Sequence, residues 1–269
     1  MKKEIIEEII KVCDKEITAK MWGAKLSNSP NGNMARYLIT DYRAFGLLTG
    51  IVRHYVFKEK LEEQVFYRGQ NAEWPLKPKL YRNCCTQKSL LLAERWKTKA
   101  MEAVEEAQFD FDAQTAEERE ALAQHYGLAT SFIDIVDHIQ TALWFAYDNM
   151  QAENDVGYIY VISVPKDRAT IIDLRNKPSQ WLRPHIQQAF CFKMNEPKEY
   201  GKISERYHIM TFVVPKALLK IWSGYDFLSH ECMYPPEDSG LTFWKKVELN
   251  LIQKGLSSTP YEWIRQRTM

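Results

Sequence analysis

Cysteine is scarce and unpatterned in this chain. Its five residues, Cys13, Cys84, Cys85, Cys191 and Cys232, show no paired metal spacing, and their odd number outlines no disulfide framework. A reducing cytoplasm is the compartment that fits such usage. Long apolar runs are lacking as well. None approaches the roughly 20 residues that a membrane-spanning helix needs, so no membrane partner is expected. The N-terminal stretch MKKEIIEEIIKVCDKE carries acids throughout its apolar stripe, so no signal peptide is expected there. Nor does charge of one sign dominate: 36 Lys and Arg face 35 Asp and Glu, leaving a formal net charge of +1. No global field draws the chain to nucleic acid or to an anionic membrane, and any such contact must come from a local patch. There is no internal repeat and no low-complexity tract.

What is present suffices for a real core. The 269 residues, 45% of them hydrophobic, can bury one substantial core, or one core beside a small helical lobe. The 8 Trp, 14 Tyr and 12 Phe fill such a core or line a pocket with stacking surfaces. Residues 3–13 and 35–58 have helical spacing, separated by a turn-rich loop at 27–33, so residues 1–60 read as a helical N-terminal portion. A short strand is expected at 64–68, stopped by Gly69. Helices are expected at 88–109 and 115–125. Another should start near Asp137, which with Gln140 has the form of a capping box. Strands follow at 157–164, 169–174 and 206–214. Pro215 opens a helix at 216–222, residues 230–234 read as short and extended, and a last helix covers 241–254. Helices early and strands later favour an α+β fold.

Three islands carry the chemistry. In the first, Phe66-Tyr67-Arg68-Gly69-Gln70, an Arg at a strand end beside a Gly suits a clamp on phosphate or carboxylate; a surface salt bridge is the plainer reading. The second is AQHYGLATSFIDIVDHIQTALWFAYDN, residues 123–149. There His125, Tyr126, Gly127, Thr130 and Ser131 gather ahead of a buried helix. These groups either meet a ligand or bond local backbone in a turn. In the third, Glu231 sits in a short apolar segment. It is costly to bury unless paired, and is aimed at a ligand, exposed, or held in an internal ion pair. A basic track through Lys77, Lys79, Arg82, Arg95, Lys97 and Lys99 is interrupted by Glu94 and Glu102, and reads first as a solvated helix face.

Tyr67-Arg68-Gly69-Gln70, Leu76-Lys77-Pro78, Gln124 to Thr130, Ile133-Asp134 and Ala142 to Ala146 together resemble an FRG domain. Gly157 to Val164, Gln187-Gln188 and Glu231 to Gly240 continue the family's order, so the resemblance covers about residues 60–245. The chain departs from the family at Ala129-Thr130-Ser131 and Ile133-Asp134-Ile135, where Pro-Thr-Arg and Leu-Asp-Trp are usual. The pattern is in turn similar to the three-part signature of ADP-ribosyltransferases. That resemblance implies a split β-sheet core in residues 61–269 and NAD as substrate.

It also implies roles. Arg68 would hold the diphosphate or the adjoining ribose, with Tyr67 and Gly69 beside it. Thr130 and Ser131 would orient the nicotinamide end. Tyr67, Tyr126 or Phe132 would stack on a flat ring, with Gly127 allowing close approach. Glu231 would stabilise the cationic ribose, and His125 would position the ribose or act as a base. Ser229 stands where arginine-modifying transferases carry a second Glu. The expected acceptor is therefore another protein side chain, a nucleic-acid base or water, with His230 and Glu237-Asp238 as alternative activators. The resemblance further implies a bacterial toxin or anti-phage defence setting, with an antitoxin as partner. Against this enzyme stand two other readings: a non-catalytic nucleotide- or nucleic-acid-binding module around Arg68 and Lys77-Pro78-Lys79, and a scaffold acting through the N-terminal helices.

Overall fold

The computed structural model describes residues 24–27, 35–39, 46, 49–50, 53, 63–107, 115–151, 155–165, 169–177, 181–195 and 207–268. The helix expected over 3–13 and nearly all of the loop after it lie outside these. Along the chain the elements are β1 (Ala24–Ser27), β2 (Ala35–Ile39), β3 (Glu63–Gln70), a 3-10 turn (Lys79–Tyr81), α1 (Gln87–Glu106), α2 (Ala116–His125), β4 (Ile133–Val136) and α3 (Ile139–Tyr147). Then come β5 (Val156–Pro165), β6 (Ala169–Asp173), a second 3-10 turn (Leu174–Asn176), α4 (Leu182–Ile186), β7 (Ala189–Met194), β8 (His208–Pro215), α5 (Lys216–Trp222), α6 (His230–Met233), α7 (Ser239–Gln253) and α8 (Tyr261–Thr268). This mixture of helix and sheet is consistent with the α+β class.

The chain divides into two compact units. The first comprises Met1–Pro75, Ile135–Arg168 and Ser204–His230, and the second Leu76–Asp134, Ala169–Ile203 and Glu231–Met269. In the first, strands run in the order β1-β2-β8-β5-β3, with β2 parallel to β8 and the other pairs antiparallel. One sheet face carries Tyr37, Ile39, Tyr67, Ile159, Val161, Phe212 and Val214, and packs against Ala142, Leu143 and Ala146 of α3 and Leu219 of α5. Two glycines let α3 lie close. A Cβ on Gly69 would stand 1.7 Å from the Ala142 carbonyl oxygen, and one on Gly157 3.0 Å from that of Ala146.

In the second unit β6 and β7 form an antiparallel pair. Helix α1 buries Leu92, Ala93, Trp96, Ala100, Ala103 and Val104 and packs against α7, which presents Phe243, Val247 and Leu251 at a spacing of four. Asn250 Nδ2 donates to the Ala103 carbonyl at 3.0 Å across that contact. Helices α1 and α2 each begin with a capping box, Thr86 with Ser89 and Thr115 with Glu118.

Four expectations are corrected. Ala35–Ile39 is a strand, not helix, because it pairs with β8 and its Tyr37 and Ile39 alternate into the core. The strand at Gly69 does not stop there but runs on to Gln70, since this glycine serves the approach of α3 and not a turn. The Asp137–Gln140 capping box is not formed. Strand β4 runs through Val136, the chain uses two residues to turn, and the helix starts at Ile139 with His138 at its N-cap and no side-chain cap bond. Residues 230–233 are helical, not extended: of these four only Met233 is buried, so no alternating apolar face pins a strand.

Replacing Gly69 by Ala should cost at least about 3 kcal/mol or abolish folding, because backbone and not a movable side chain opposes the new methyl. Gly46→Ala, where no atom lies within 4 Å, should leave the urea midpoint nearly unchanged. Equal midpoints for the two variants would contradict this account of the helix–sheet contact.

Candidate functional site

Side chains alternate along β3, so Tyr67 and Arg68 cannot serve the same surface. Tyr67 is 1% exposed and belongs to the core, which removes it from any ligand-stacking role. Burial pushes its hydroxyl pKa up, against the opposing charge of Arg53. Arg68 turns to the other face. It stands opposite Tyr160, Tyr160 opposite Thr211, and Thr211 opposite Arg36, forming one row across β3, β5, β8 and β2. The next row along the same face includes Gln70 and Tyr158.

The Tyr160 hydroxyl is the meeting point of this face. It donates to the Trp74 carbonyl at 3.2 Å. Burial raises its pKa most, Glu73 and Tyr158 add to the rise, and the Arg36 and Arg68 guanidiniums both oppose it. Two cations therefore act on one hydroxyl. Arg36 Nη1 also donates to both Glu73 oxygens, at 3.0 and 3.1 Å, and its guanidinium lies 5.4 Å from the Tyr158 ring centre. Trp74 is 58% exposed, and Tyr158 and Arg68 are half-buried. On the same strand as Thr211, the ring of His208 lies 5.2 Å from that of Tyr160. Its Nε2 is 2.9 Å from both the Met210 carbonyl and the Thr211 hydroxyl. The carbonyl only accepts, so Nε2 carries the proton. Burial holds the His208 pKa down at about 4, against that hydrogen bond.

In the second unit, the residues expected to form the middle wall of a nucleotide pocket are bonded internally. Thr130 and Ser131 are 0% and 1% exposed. The Thr130 hydroxyl donates to Gln124 Oε1 and accepts from the Phe132 amide, while the Gln124 amide donates to Asp134 at 2.6 Å. The Ser131 hydroxyl and amide both donate to Glu120 Oε1, at 2.5 and 3.0 Å. Lys193 stands 3.8 Å from the other Glu120 oxygen. Tyr126 and Phe132 are buried, so neither presents a ring to a ligand. The Tyr126 hydroxyl donates to both oxygens of Asp238, at 2.9 and 2.7 Å. Asp238 is itself 2% exposed and also accepts from the amides of Leu182, Arg183 and Gly240. That leaves it no role as an activator of an acceptor.

His125 closes α2. Burial lowers its pKa, with the Asp134 charge opposing, and its Nε2 is buried without a hydrogen-bond partner. Gly127 has φ of +122°, a backbone that L side chains rarely adopt. It thus serves the turn after α2.

An FRG domain is matched over residues 63–155. No curated protein and no solved structure matches the chain. The FRG segment contains Arg68, His125, Thr130 and Ser131, and ends before Glu231. Glu231 lies on α6, exposed, with no hydrogen bond or ion pair among the described residues. Beside it His230 Nδ1 is 3.1 Å from Asp148.

Of the expected site residues, Tyr67, Arg68 and Gly69 belong to the first unit, and His125, Tyr126, Gly127, Thr130, Ser131 and Glu231 to the second. The structure gathers around Tyr160 a set that residue spacing does not reveal: Arg36, Arg68, Glu73, Trp74 and Tyr158. Only the alternation of aromatic residues in β5, Tyr158 and Tyr160 on one face, hinted at it. No group of three or more His, Cys, Asp or Glu able to hold a metal occurs among the described residues.

Two outcomes follow. His208 stays neutral in the folded chain down to about pH 4, whereas unfolded it takes up a proton below about 6.5. Its contribution is whole above pH 6.5, and about 3 kcal/mol is lost as pH falls from there to 4. Urea unfolding of His208→Gln should therefore show a smaller drop between pH 7 and 4 than wild type. Tyr126→Phe leaves Asp238 one donor short and should cost about 1–3 kcal/mol by the same assay. An unchanged midpoint would remove the Tyr126–Asp238 bond from the account of stability.

Proposed function

We propose that the protein is an NAD-dependent ADP-ribosyltransferase acting on a macromolecular acceptor, either nucleic acid or protein. The observation that carries the reading is the row Arg68, Tyr160, Thr211 and Arg36 across β3, β5, β8 and β2, which sets two guanidiniums on one face of the sheet. A guanidinium at each end of that row, both on one face, suits the linked phosphates of a dinucleotide lying along it. Tyr158 and the exposed Trp74 supply rings for a flat base. Glu73 is the present counter-ion of Arg36, and a partly exposed pair of this kind is weak enough for a diphosphate to replace.

In the reaction the bond from nicotinamide to ribose C1′ breaks and its electron pair leaves with nicotinamide. The ribose becomes cationic, and an acceptor nucleophile bonds to C1′ and gives up its proton. Family resemblance alone assigns Glu231 to stabilise that cation. A toxin or anti-phage defence setting, with an antitoxin as partner, belongs to the same reading and rests on family resemblance alone.

A second reading, a nucleotide-binding module without catalysis, is favoured by the internal bonding of Thr130 and Ser131 and by the exposed, helical position of Glu231. NAD labelled in its adenylate half, incubated with RNA, DNA and protein pools, separates the two. Transfer of label is expected. Arg68→Ala should lower kcat/KM by about 100-fold, and Glu231→Gln should stop transfer while NAD still binds. Nicotinamide release without labelled acceptor would make the protein a hydrolase, and NAD binding without release would make it a binding module. Absence of both ends the nucleotide reading.

A further inference from the structure

Gln70 ends β3 two residues beyond Arg68, on the same face of the sheet and opposite Tyr158. It is 7% exposed, and its side-chain amide makes no hydrogen bond to any described residue. We propose that this amide reads the edge of a nucleotide base, and that the base it selects carries an exocyclic N–H next to a ring-nitrogen acceptor, as adenine does. The proposal rests on the nucleotide reading of the Arg68 face and names the base which that face takes.

A buried amide with no partner is costly, because its donor and its acceptor have both left bulk water. Other amides in the fold are paired. Buried Gln187 donates to the Met233 carbonyl at 2.7 Å, and half-buried Gln124 bonds Asp134 and Thr130 through its two amide atoms. Gln70 departs from that pattern. It is buried yet not sealed: both amide atoms keep a contact with solvent, since neither is among the enclosed polar atoms that lack a partner. An amide sets a donor beside an acceptor, and the edge of adenine offers their complement. The 6-amino N–H suits the Gln carbonyl oxygen, and the adjacent ring nitrogen suits the Gln N–H.

The chain around Gln70 holds it in place. Asn71 Nδ2 donates to the Asn149 carbonyl at 3.0 Å, which pins the end of β3 to the segment after α3. The chain then turns back over the face: the Trp74 amide donates to the Ala72 carbonyl at 2.9 Å, and the Trp74 carbonyl accepts from Tyr160, on the row of Arg68. Gln70 and Trp74 thus belong to one short bracket. Opposed side chains of an antiparallel pair have Cβ atoms about 5 Å apart, so the Gln70 amide reaches the edge of a ring laid against Tyr158 or Trp74. Successive rows on one face are about 7 Å apart, which suits phosphates along the Arg68 row and a base, one ribose away, on the row of Gln70.

The test is calorimetry of the full chain with NAD and with the NAD analogue that carries unsubstituted purine in place of adenine, in wild type and in Gln70→Leu. Wild type should bind NAD about tenfold more tightly than the analogue, which lacks the N–H that the Gln70 carbonyl takes. In Gln70→Leu that ratio should fall to within about twofold of unity. Should Gln70→Leu unfold, Gln70→Met keeps the length without the amide and reads the same ratio. Equal affinity for the two ligands in wild type, or a preference for NAD that survives loss of the amide, overturns the proposal and leaves the nucleotide reading of the Arg68 face standing. No binding of NAD by wild type ends both.

Discussion

The contact on which the first unit depends is backbone against backbone, α3 lying on β3 at Gly69 and on β5 at Gly157. A strand has a period of two, so whatever faces the helix at 67 and 69 sends residue 68 to the opposite side. The triplet Tyr67-Arg68-Gly69 is therefore one geometric statement. It holds an aromatic residue for the core, a cation for the other face, and a missing side chain where the helix comes close. The same period puts Tyr158 and Tyr160 beside that cation while Ile159 and Val161 join Tyr67.

The second unit obeys a different constraint: polar groups that fold inward must find partners. Glu120, Thr130, Ser131 and Asp238 are all buried, and each accounts for its oxygens through neighbours in the same unit. Glu120 shows the principle. Its carboxylate takes two bonds from Ser131 and stands near Lys193, whose ammonium lies 4.9 Å over the Phe132 ring. Such an arrangement is expensive to break because removal of one member strands the others.

Much of the fold was legible because its signals were local. The strand at 156–165 is β-branched and aromatic between a glycine and a proline, and α1 and α2 are introduced by threonine caps. Strand β2 was not legible, since its pairing with β8 is a long-range choice and ARYLI suits either state. The FRG resemblance located Arg68, but residue order carried no information on the face each side chain takes. Hence Tyr67, Tyr126, Thr130 and Ser131 looked like ligand contacts and are core or network members. Arg36 and Glu73 were missed because they meet only after the sheet has formed. Asp238 read, with Glu237, as an alternative activator of the acceptor, yet it closes a network that begins at Tyr126, 112 positions earlier.

That carboxylate joins three segments far apart in the chain: the end of α2, the start of α4 and the first turn of α7. During synthesis it emerges after nearly everything it holds. Until residue 238 leaves the ribosome, one phenol and two amides have no acceptor, so the second unit cannot close vectorially from its N-terminal side. The last thirty-odd residues are the keystone of that half, and a nascent or truncated chain without them is the species that chaperones and proteases would meet.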